Sequence, residues 1–265
     1  MYISGNVSVL CVIDDVRGVT LLYDVVYIVF SQSSTIVRFS ATTHQRLRNI
    51  DIKGLKAPWD IVACERTGQV YVGDLACVWR VSSDGRDIKH WLPKSSSGTF
   101  KPWTLSVTST RLLVTSHETH QLIQFDAVGY ELRRVHLLTM SLPPWHAVES
   151  PTGTFIVSLY NEQLKQGQVV EVNTGGEVLR QFSGSRLPSV DFTQRVAVDS
   201  HGNILVADHN NRRILLLDAH LFLRRVIIDE HQLLKQPRRL CYRERSGRLL
   251  VALKHGVAVF GVLCR

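Results

Sequence analysis

Three tryptophans and two arginines stand near the start of related segments of the chain: Trp59, Trp103, Trp145, Arg195 and Arg238. Indole rings offer flat apolar faces for stacking on a base, a sugar or an aromatic side chain, and guanidinium groups form paired hydrogen bonds with phosphate or carboxylate. Tryptophan and arginine are also the residues most enriched at the energetic centres of protein interfaces. If the fold brings these five positions to one surface, the residue types predict a binding site. The alternative is that the tryptophans only pack between neighbouring structural units.

The segments that carry these residues are copies of one unit. The copies are "PWDIVACERTGQVYVGD" from Pro58, "PWTLSVTSTRLLVTS" from Pro102, "PWHAVESPTGTFIVS" from Pro144, "QRVAVDSHGNILVAD" from Gln194 and "PRRLCYRERSGRLLVAL" from Pro237. They start 42 to 50 residues apart, and a weaker copy, "VRGVTLLYDVVYIVFS", occupies residues 16–31. A repeat of this length is typical of propellers and solenoids.

Each copy can be divided into four short strands. In the fifth copy, apolar alternation over 195–199 is followed by a Gly-Asn turn, a second strand at 204–208, a polar loop, a third strand at 214–219 and a fourth at 222–228. Six such sheets predict an all-β, six-bladed β-propeller of four-stranded antiparallel blades, filling residues 1–265 as a single domain. The blades are expected to begin near residues 16, 58, 102, 144, 194 and 237.

The two ends of the chain are expected to complete the same blade. The sixth copy supplies only three strands before the sequence stops, and "NVSVLCVI" at 6–13 precedes the first copy. An open ring would leave an unpaired strand edge at both ends. We therefore expect the N-terminal strand to pair with the third strand of the last blade and to close the ring.

The segment "GNILVADHNNRRI" in the fifth copy resembles an NHL repeat. The resemblance rests on Gly202, Asn203, Val206, Asp208, Asn211 and Arg213; the other copies keep it in outline only, since Ser116 and Ser158 replace the aspartate in the third and fourth. NHL propellers are recognition modules for proteins or RNA, often at the C-terminus of TRIM-NHL ubiquitin ligases. The resemblance thus implies a substrate-recognition part, and the RING and B-box zinc spacings are absent from this sequence.

Asp208, Asn211 and Arg213 are expected to form a structural motif. An aspartate at the end of a second strand and an arginine across the following loop can make a charge-assisted hydrogen bond that fixes the loop. We favour this structural role of the motif over a role in ligand binding.

Positive charge is concentrated in the last third of the chain. The net charge is +8, and residues 181–265 hold 14 basic and 7 acidic side chains. We expect a basic patch for an anionic partner, formed by Arg212, Arg224, Arg225, Arg239 and Arg243. The alternative is a solvated face whose arginines lie over apolar neighbours.

Other features restrict the class of protein. No apolar run reaches the roughly 18 residues needed to span a bilayer, and no secretory leader is recognisable. Five cysteines without a C-x-x-C pair argue against a disulfide framework and a zinc knuckle. A cytoplasmic monomer without cofactor, metal or membrane contact is the expectation.

In a propeller, the loop before the first strand of each blade lies at one mouth of the central channel. The five tryptophans and arginines are expected to form a ring there, and the predicted function is a non-catalytic recognition module for a protein or single-stranded RNA. The competing hypothesis is a metal-dependent lactonase or lyase, since similar six-bladed propellers include such enzymes. Its candidate residues do not repeat at one blade position: Glu149, His146, Asp199 and His117.

Overall fold

The computed structural model describes residues 1–12, 14–74, 77–92, 101–137, 142–161, 163, 166–182, 193–233 and 235–263. It consists of six four-stranded antiparallel sheets, which form the blades of a propeller. In the described part, the helical content is a single 3₁₀ turn at Glu244–Ser246. The predicted fold class is confirmed.

The first three blades are built from consecutive strands. Blade 1 contains β2 (Val16–Leu22), β3 (Val25–Phe30), β4 (Thr35–Ser40) and β5 (Arg46–Asp51). Blade 2 contains β6 (Pro58–Cys64), β7 (Gln69–Asp74), β8 (Cys77–Ser82) and β9 (Ile88–Leu92). Blade 3 contains β10 (Thr104–Thr108), β11 (Arg111–Ser116), β12 (Gln121–Phe125) and β13 (Glu131–His136).

The last three blades include the closure of the ring. Blade 4 contains β14 (Pro144–Glu149), β15 (Phe155–Asn161), β16 (Gln166–Val172) and β17 (Val178–Gln181). Blade 5 contains β18 (Thr193–Val198), β19 (Ile204–Asp208), β20 (Arg213–Leu217) and β21 (Leu223–Ile228). Blade 6 contains β22 (Arg239–Arg243), β23 (Arg248–Leu253), β24 (Gly256–Leu263) and, from the other end of the chain, β1 (Tyr2–Cys11).

The N-terminal strand closes the ring as expected. β1 runs antiparallel to β24, with Tyr2 opposite Leu263 and Cys11 opposite Gly256. The strand is longer than the predicted 6–13 at its N-terminal side because the pairing continues past a register shift between Ser4 and Val7. The N-terminal strand β1 is thus the fourth strand of blade 6.

The hydrophobic core is divided among the interfaces between blades. Six clusters of buried residues occur in the described chain, and each combines side chains from two neighbouring blades, including blades 6 and 1. Inner strands are buried on both faces: all five residues of β19 are buried. Outer strands face solvent, as β17 does with four exposed residues. Apolar surface is therefore buried mainly by stacking one blade on the next.

Candidate functional site

The first strand of every blade lines the central channel, and the strand registers define equivalent positions. Pro58 pairs with Asp74 and Asp60 with Gly73, so Trp59 is bulged out of the ladder. The same bulge falls on Trp145 in blade 4 and on Gln194 in blade 5. We call this set of positions the mouth ring: Arg17, Trp59, Trp103, Trp145, Gln194 and Arg238.

Arg195 lies one position further along its strand than the sequence alignment placed it. Thr193 pairs with Asp208 and Arg195 with Ala207, which makes Arg195 equivalent to Asp60 and not to Trp59. The expectation that Arg195 belongs to the ring of tryptophans is therefore wrong. Blade 5 has Thr193 where four other blades have proline. Starting the fifth copy of the repeat at Gln194 therefore put its alignment one residue out of register.

The three tryptophans of the mouth ring form one continuous row. The ring centroids of Trp59 and Trp103 are 4.6 Å apart, and those of Trp103 and Trp145 are 5.4 Å apart in an edge-to-face arrangement. The guanidinium of Arg17 lies 4.7 Å from the Trp59 ring centroid, within cation–π range. We call Trp59, Trp103 and Trp145 the aromatic row.

The aromatic row is partly exposed and lies outside the six cores between blades. Trp79, by contrast, belongs to the core between blades 1 and 2, and Trp91 packs against the core between blades 2 and 3. Those two are packing residues. The row also contacts the rings of His117 and Tyr160, and each of its three indoles keeps part of its surface exposed.

Arg17 was not singled out from the sequence although it occupies the mouth-ring position of blade 1. It forms an ion pair with Asp15 at 3.1 Å, and Asp15 also binds the guanidinium of Arg238. Arg17 of blade 1 and Arg238 of blade 6 therefore lie on either side of the interface between these two blades, and both pair with Asp15. The sequence could have placed Arg17 at this position, because in "VRGVTLL" it stands two residues before Val19, as Trp59 stands two residues before Ile61.

A second ring lies one residue further into the channel. We call it the channel ring, and it consists of Gly18, Asp60, Thr104, His146, Arg195 and Arg239. A Cβ on Gly18 would lie 2.8 Å from the backbone nitrogen of Ile61, so blade 1 can approach blade 2 only with glycine at this position.

Asp60 is the centre of the charged part of the channel ring. Its carboxylate accepts hydrogen bonds from the backbone N–H of Leu105 at 2.8 Å and of Ile61 at 3.0 Å. It also lies 2.8 Å from Nη2 of Arg195 and 3.4 Å from Nε of Arg239. Arg239 donates further to the carbonyl of Trp59 at 2.8 Å. Blades 2, 3, 5 and 6 meet at this one carboxylate.

The imidazole of His146 is neutral and connects blade 4 with blades 3 and 5. Its Nε2 lies 3.3 Å from the carbonyl of Leu105, and the backbone N–H of Val196 points to its Nδ1 at 3.4 Å. Burial, together with the positive charges of Arg195 and Arg239, lowers the pKa of His146 well below the usual 6.5. The two contacts fit the tautomer protonated on Nε2, so neither nitrogen is offered to a metal.

This buried histidine gives the fold a pH dependence of definite sign. Below pH 6.5 the unfolded chain takes up a proton at His146 that the folded chain does not, so the free energy of unfolding falls as the pH falls from 6.5 toward the folded-state pKa. His209 acts in the same direction, because burial lowers its pKa too. In urea titrations at pH 7 and pH 5, His146→Gln is expected to remove up to about 1.4 kcal/mol per pH unit of this slope.

The control is His220→Gln, at an exposed position of the same propeller. It is expected to retain the wild-type slope. An unchanged slope in His146→Gln would contradict a neutral, buried His146.

The five arginines of the expected basic patch do not form one surface. Arg239 lies in the channel ring, whereas Arg243, at the other end of β22, donates to the carbonyls of Leu21 and Ala63. Arg224 pairs with Asp218 at 3.1 Å, and Arg225 covers the ring of Tyr2 at 3.8 Å. Arg212 alone of the five belongs to a loop at the mouth. Neighbouring arginines in a strand point to opposite sides, so proximity in sequence did not produce a patch.

A different basic surface occurs beside the mouth ring, between blades 5 and 6. A groove of about 350 Å³ is lined by Asn210, Arg212, Lys235, Gln236, Arg238, Lys254 and His255. We call it the blade 5–6 groove. Its lining contains four basic side chains and no acidic one. Arg238 belongs to both the groove and the mouth ring, so the groove continues into the mouth.

The structural motif of blade 5 has the expected geometry. Arg213 Nε donates to Asp208 Oδ2 at 2.6 Å, and Asn211 donates to both oxygens of that carboxylate at 3.0 Å. Asp208 is fully buried. The motif fixes the loop that carries Arg212 at the edge of the blade 5–6 groove.

The described residues do not assemble an evident metal centre. No group of three or more His, Cys, Asp or Glu side chains that could hold a metal ion is found among them. Glu149 is bound by Arg111 at 2.9 Å and by Gln124 at 2.8 Å, while Asp199 caps the turn that contains Gly202. In the same part of the chain, no helix has the length and apolar character to cross a membrane.

Comparison with known proteins identifies the fold but not the family. No family model matches the chain, and no curated protein matches it. Among solved structures, a gluconolactonase-like structural-genomics target is similar with a TM-score of 0.73 at 11% identity, covering 98% of this chain and 93% of its own. A streptogramin B lyase has a TM-score of 0.70 at 11% identity, with 97% and 98% coverage.

The WD40 propeller domain of Doa1 is similar with a TM-score of 0.68 at 14% identity, covering 97% of each chain. At such low identities these likenesses show the fold alone. They include lyase and gluconolactonase-type proteins as well as a WD40 domain, so they do not separate enzymes from binding modules. The chain is a six-bladed β-propeller with neighbours of these types, and its assignment to the NHL family is not confirmed.

Proposed function

We propose that this propeller is a non-catalytic recognition module that binds single-stranded RNA across its mouth. The observation that carries the proposal is the continuity of the aromatic row with the blade 5–6 groove on one face of the ring. Proteins that bind single strands combine aromatic platforms for the bases with a positively charged groove for the backbone.

The contacts support a division of roles on this face. Trp59, Trp103 and Trp145 are partly exposed and adjacent, which suits stacking of successive bases. The groove supplies cations without an acidic neighbour in its lining, which suits phosphates. Arg238 of the groove shares Asp15 with Arg17, and the guanidinium of Arg17 lies over Trp59, which links the two parts.

A protein partner is the other reading of the same surface. Tryptophan and arginine at the centre of a patch are typical of protein hot spots, and binding through them depends weakly on salt. The expectation of a ubiquitin-ligase substrate-recognition part rests on the NHL resemblance and stays a prediction. The surface itself favours RNA because Arg212, Lys235 and Lys254 line the groove with no acidic side chain in its lining, and an apolar partner would supply no counter-charge for them.

Salt and aromatic truncation test the proposal together. With a fluorescein-labelled mixed-sequence RNA of about 12 nucleotides, four phosphate contacts from the groove predict a roughly 50-fold loss of affinity between 50 and 200 mM salt. Trp103→Ala is expected to weaken binding by a further 5- to 150-fold, the worth of one stacked base, with the salt slope unchanged.

The matched controls are Phe222→Ala and Tyr130→Ala, which remove exposed aromatic rings at the opposite end of the propeller. They are expected to bind RNA as the wild type does. Salt-resistant capture of a protein that requires Trp103, without RNA binding, would replace RNA by a protein partner. A divalent metal that copurifies on the channel axis would favour the lactonase or lyase class.

A further inference from the structure

The channel beneath the mouth ring carries an imbalance of buried charge. Arg195 and Arg239 line it together with one neighbouring carboxylate, Asp60. These residues are 2%, 8% and 3% exposed, respectively. Burying an ion is costly unless a counter-charge and hydrogen bonds compensate for the lost hydration. One carboxylate does not neutralise two guanidinium groups.

The other carboxylate on the channel wall does not correct the imbalance. Glu149 stands near the far end of its strand and is already held by Arg111 and Gln124. His146 carries no negative charge in either protonation state, so it does not compensate for the arginines. Consistently, burial and the nearby Arg195 lower the pKa of Arg239 well below that of a free guanidinium.

Several buried donors in this channel have no hydrogen-bond acceptor among the residues that the structure describes. They are Nε of Arg195, Nε of Arg239 and the hydroxyl of Ser106. Nη2 of Arg195 lies 2.8 Å from Asp60 Oδ2 and pairs with that carboxylate. Buried polar atoms are normally satisfied, and these belong to three residues that line the same cavity.

We propose that the channel binds a small oxyanion, a phosphate or carboxylate group, with Arg195 and Arg239 as charged donors and Ser106 as a neutral one. Guanidinium groups pair with either anion through two parallel hydrogen bonds. The cavity measures about 130 Å³, several times the roughly 10–15 Å³ that admits one water, which leaves room for an oxyanion of four or five heavy atoms. This site is independent of RNA binding at the mouth.

Calorimetric titration of the whole protein tests the site directly. Sodium phosphate, sodium acetate and sodium chloride are each added at constant ionic strength and pH 7.5, and melting temperatures are recorded in the same solutions. We expect saturable binding of phosphate or acetate, with a rise in melting temperature of about 3 °C at ten times the Kd, and no such rise with chloride. The anion that binds more tightly identifies the group.

Variants assign the binding to the channel. Arg195→Met is expected to raise the Kd at least tenfold, and Ser106→Ala about threefold, in line with the loss of a charged and a neutral hydrogen bond. Arg224→Met removes the same charge from an exposed outer strand of the same blade and should leave the Kd unchanged.

Two results overturn the proposal: no saturable binding beyond the effect of chloride, or binding that survives Arg195→Met unaltered. If Arg195→Met does not fold, the wild-type titration and Ser106→Ala decide the question, because Ser106→Ala removes only one hydroxyl. Neither measurement involves RNA, so failure here is distinct from failure of the mouth to bind RNA.

Discussion

Deletion of residues 1–11 is expected to abolish the cooperative unfolding transition of the propeller. The deletion leaves the edge of β24 unpaired along its length. It also removes Leu10 from the core between blades 6 and 1, and Met1 and Ile3 from the packing around the core between blades 5 and 6. A whole domain is stable by only about 5–15 kcal/mol, so the loss of a strand that supports two cores is a large part of the total. The exposed edge should promote aggregation.

Point variants in β1 separate closure from a general effect of changing the terminus. Leu10 is 5% exposed and Val9 is 54% exposed, although they are adjacent. Leu10→Ala is expected to cost about 2–5 kcal/mol and to lower the melting temperature by roughly 10 °C. Val9→Ala should stay within about 0.5 kcal/mol of the wild type. A deletion variant that melts like the wild type would show that β1 does not close the ring.

Replacement of Asp208 by alanine is expected to have the second largest effect on stability. It leaves the buried guanidinium of Arg213 without the carboxylate that accepts its 2.6 Å hydrogen bond. Removing one partner of a buried ion pair typically costs about 3–5 kcal/mol, which corresponds to a fall of roughly 10 °C in melting temperature for a chain of this size.

A surface ion pair of equal length provides the control. Glu131 and Arg134 are also 2.6 Å apart, but both side chains are more than a third exposed. Glu131→Ala is therefore expected to cost at most about 1 kcal/mol. The double variant Asp208→Ala/Arg213→Met should recover part of the loss, because no buried charge is left unpaired. Equal losses for Asp208→Ala and Glu131→Ala would contradict the structural role of the motif.

The fold was predictable because the repeat period and the apolar alternation depend on local sequence. Each blade carries its own turn and strand pattern, and the unpaired segment before the first copy indicated how the ring closes. The structural motif at Asp208 was predictable for the same reason, since its three residues lie close in sequence, between the end of β19 and the start of β20.

The candidate site was less predictable because it depends on register. Proline opens four of the blades, but Thr193 takes its place in blade 5, and a shift of one residue moves Arg195 between rings. The strand registers make the residues that directly follow the channel ring equivalent: Val19, Ile61, Leu105, Ala147, Val196 and Leu240.

Contacts between distant blades were beyond sequence reasoning. Asp60, Arg195 and Arg239 come together only when the ring is closed, and nothing local to any of them indicates the others. The blade 5–6 groove likewise combines loops from two blades, with Arg212 from one and Lys254 from the other. The expected basic patch failed because it was inferred from neighbours in sequence.

The most direct test of the central claim is to map where RNA contacts the protein. Single-stranded RNA containing 4-thiouridine is irradiated with the protein, and the crosslinked residues are identified by mass spectrometry. We expect adducts at the aromatic row, on Trp59, Trp103 or Trp145, and their loss at 200 mM salt. Adducts at the opposite end of the propeller, near Tyr130 or Phe222, or no adducts at 50 mM salt, would contradict it.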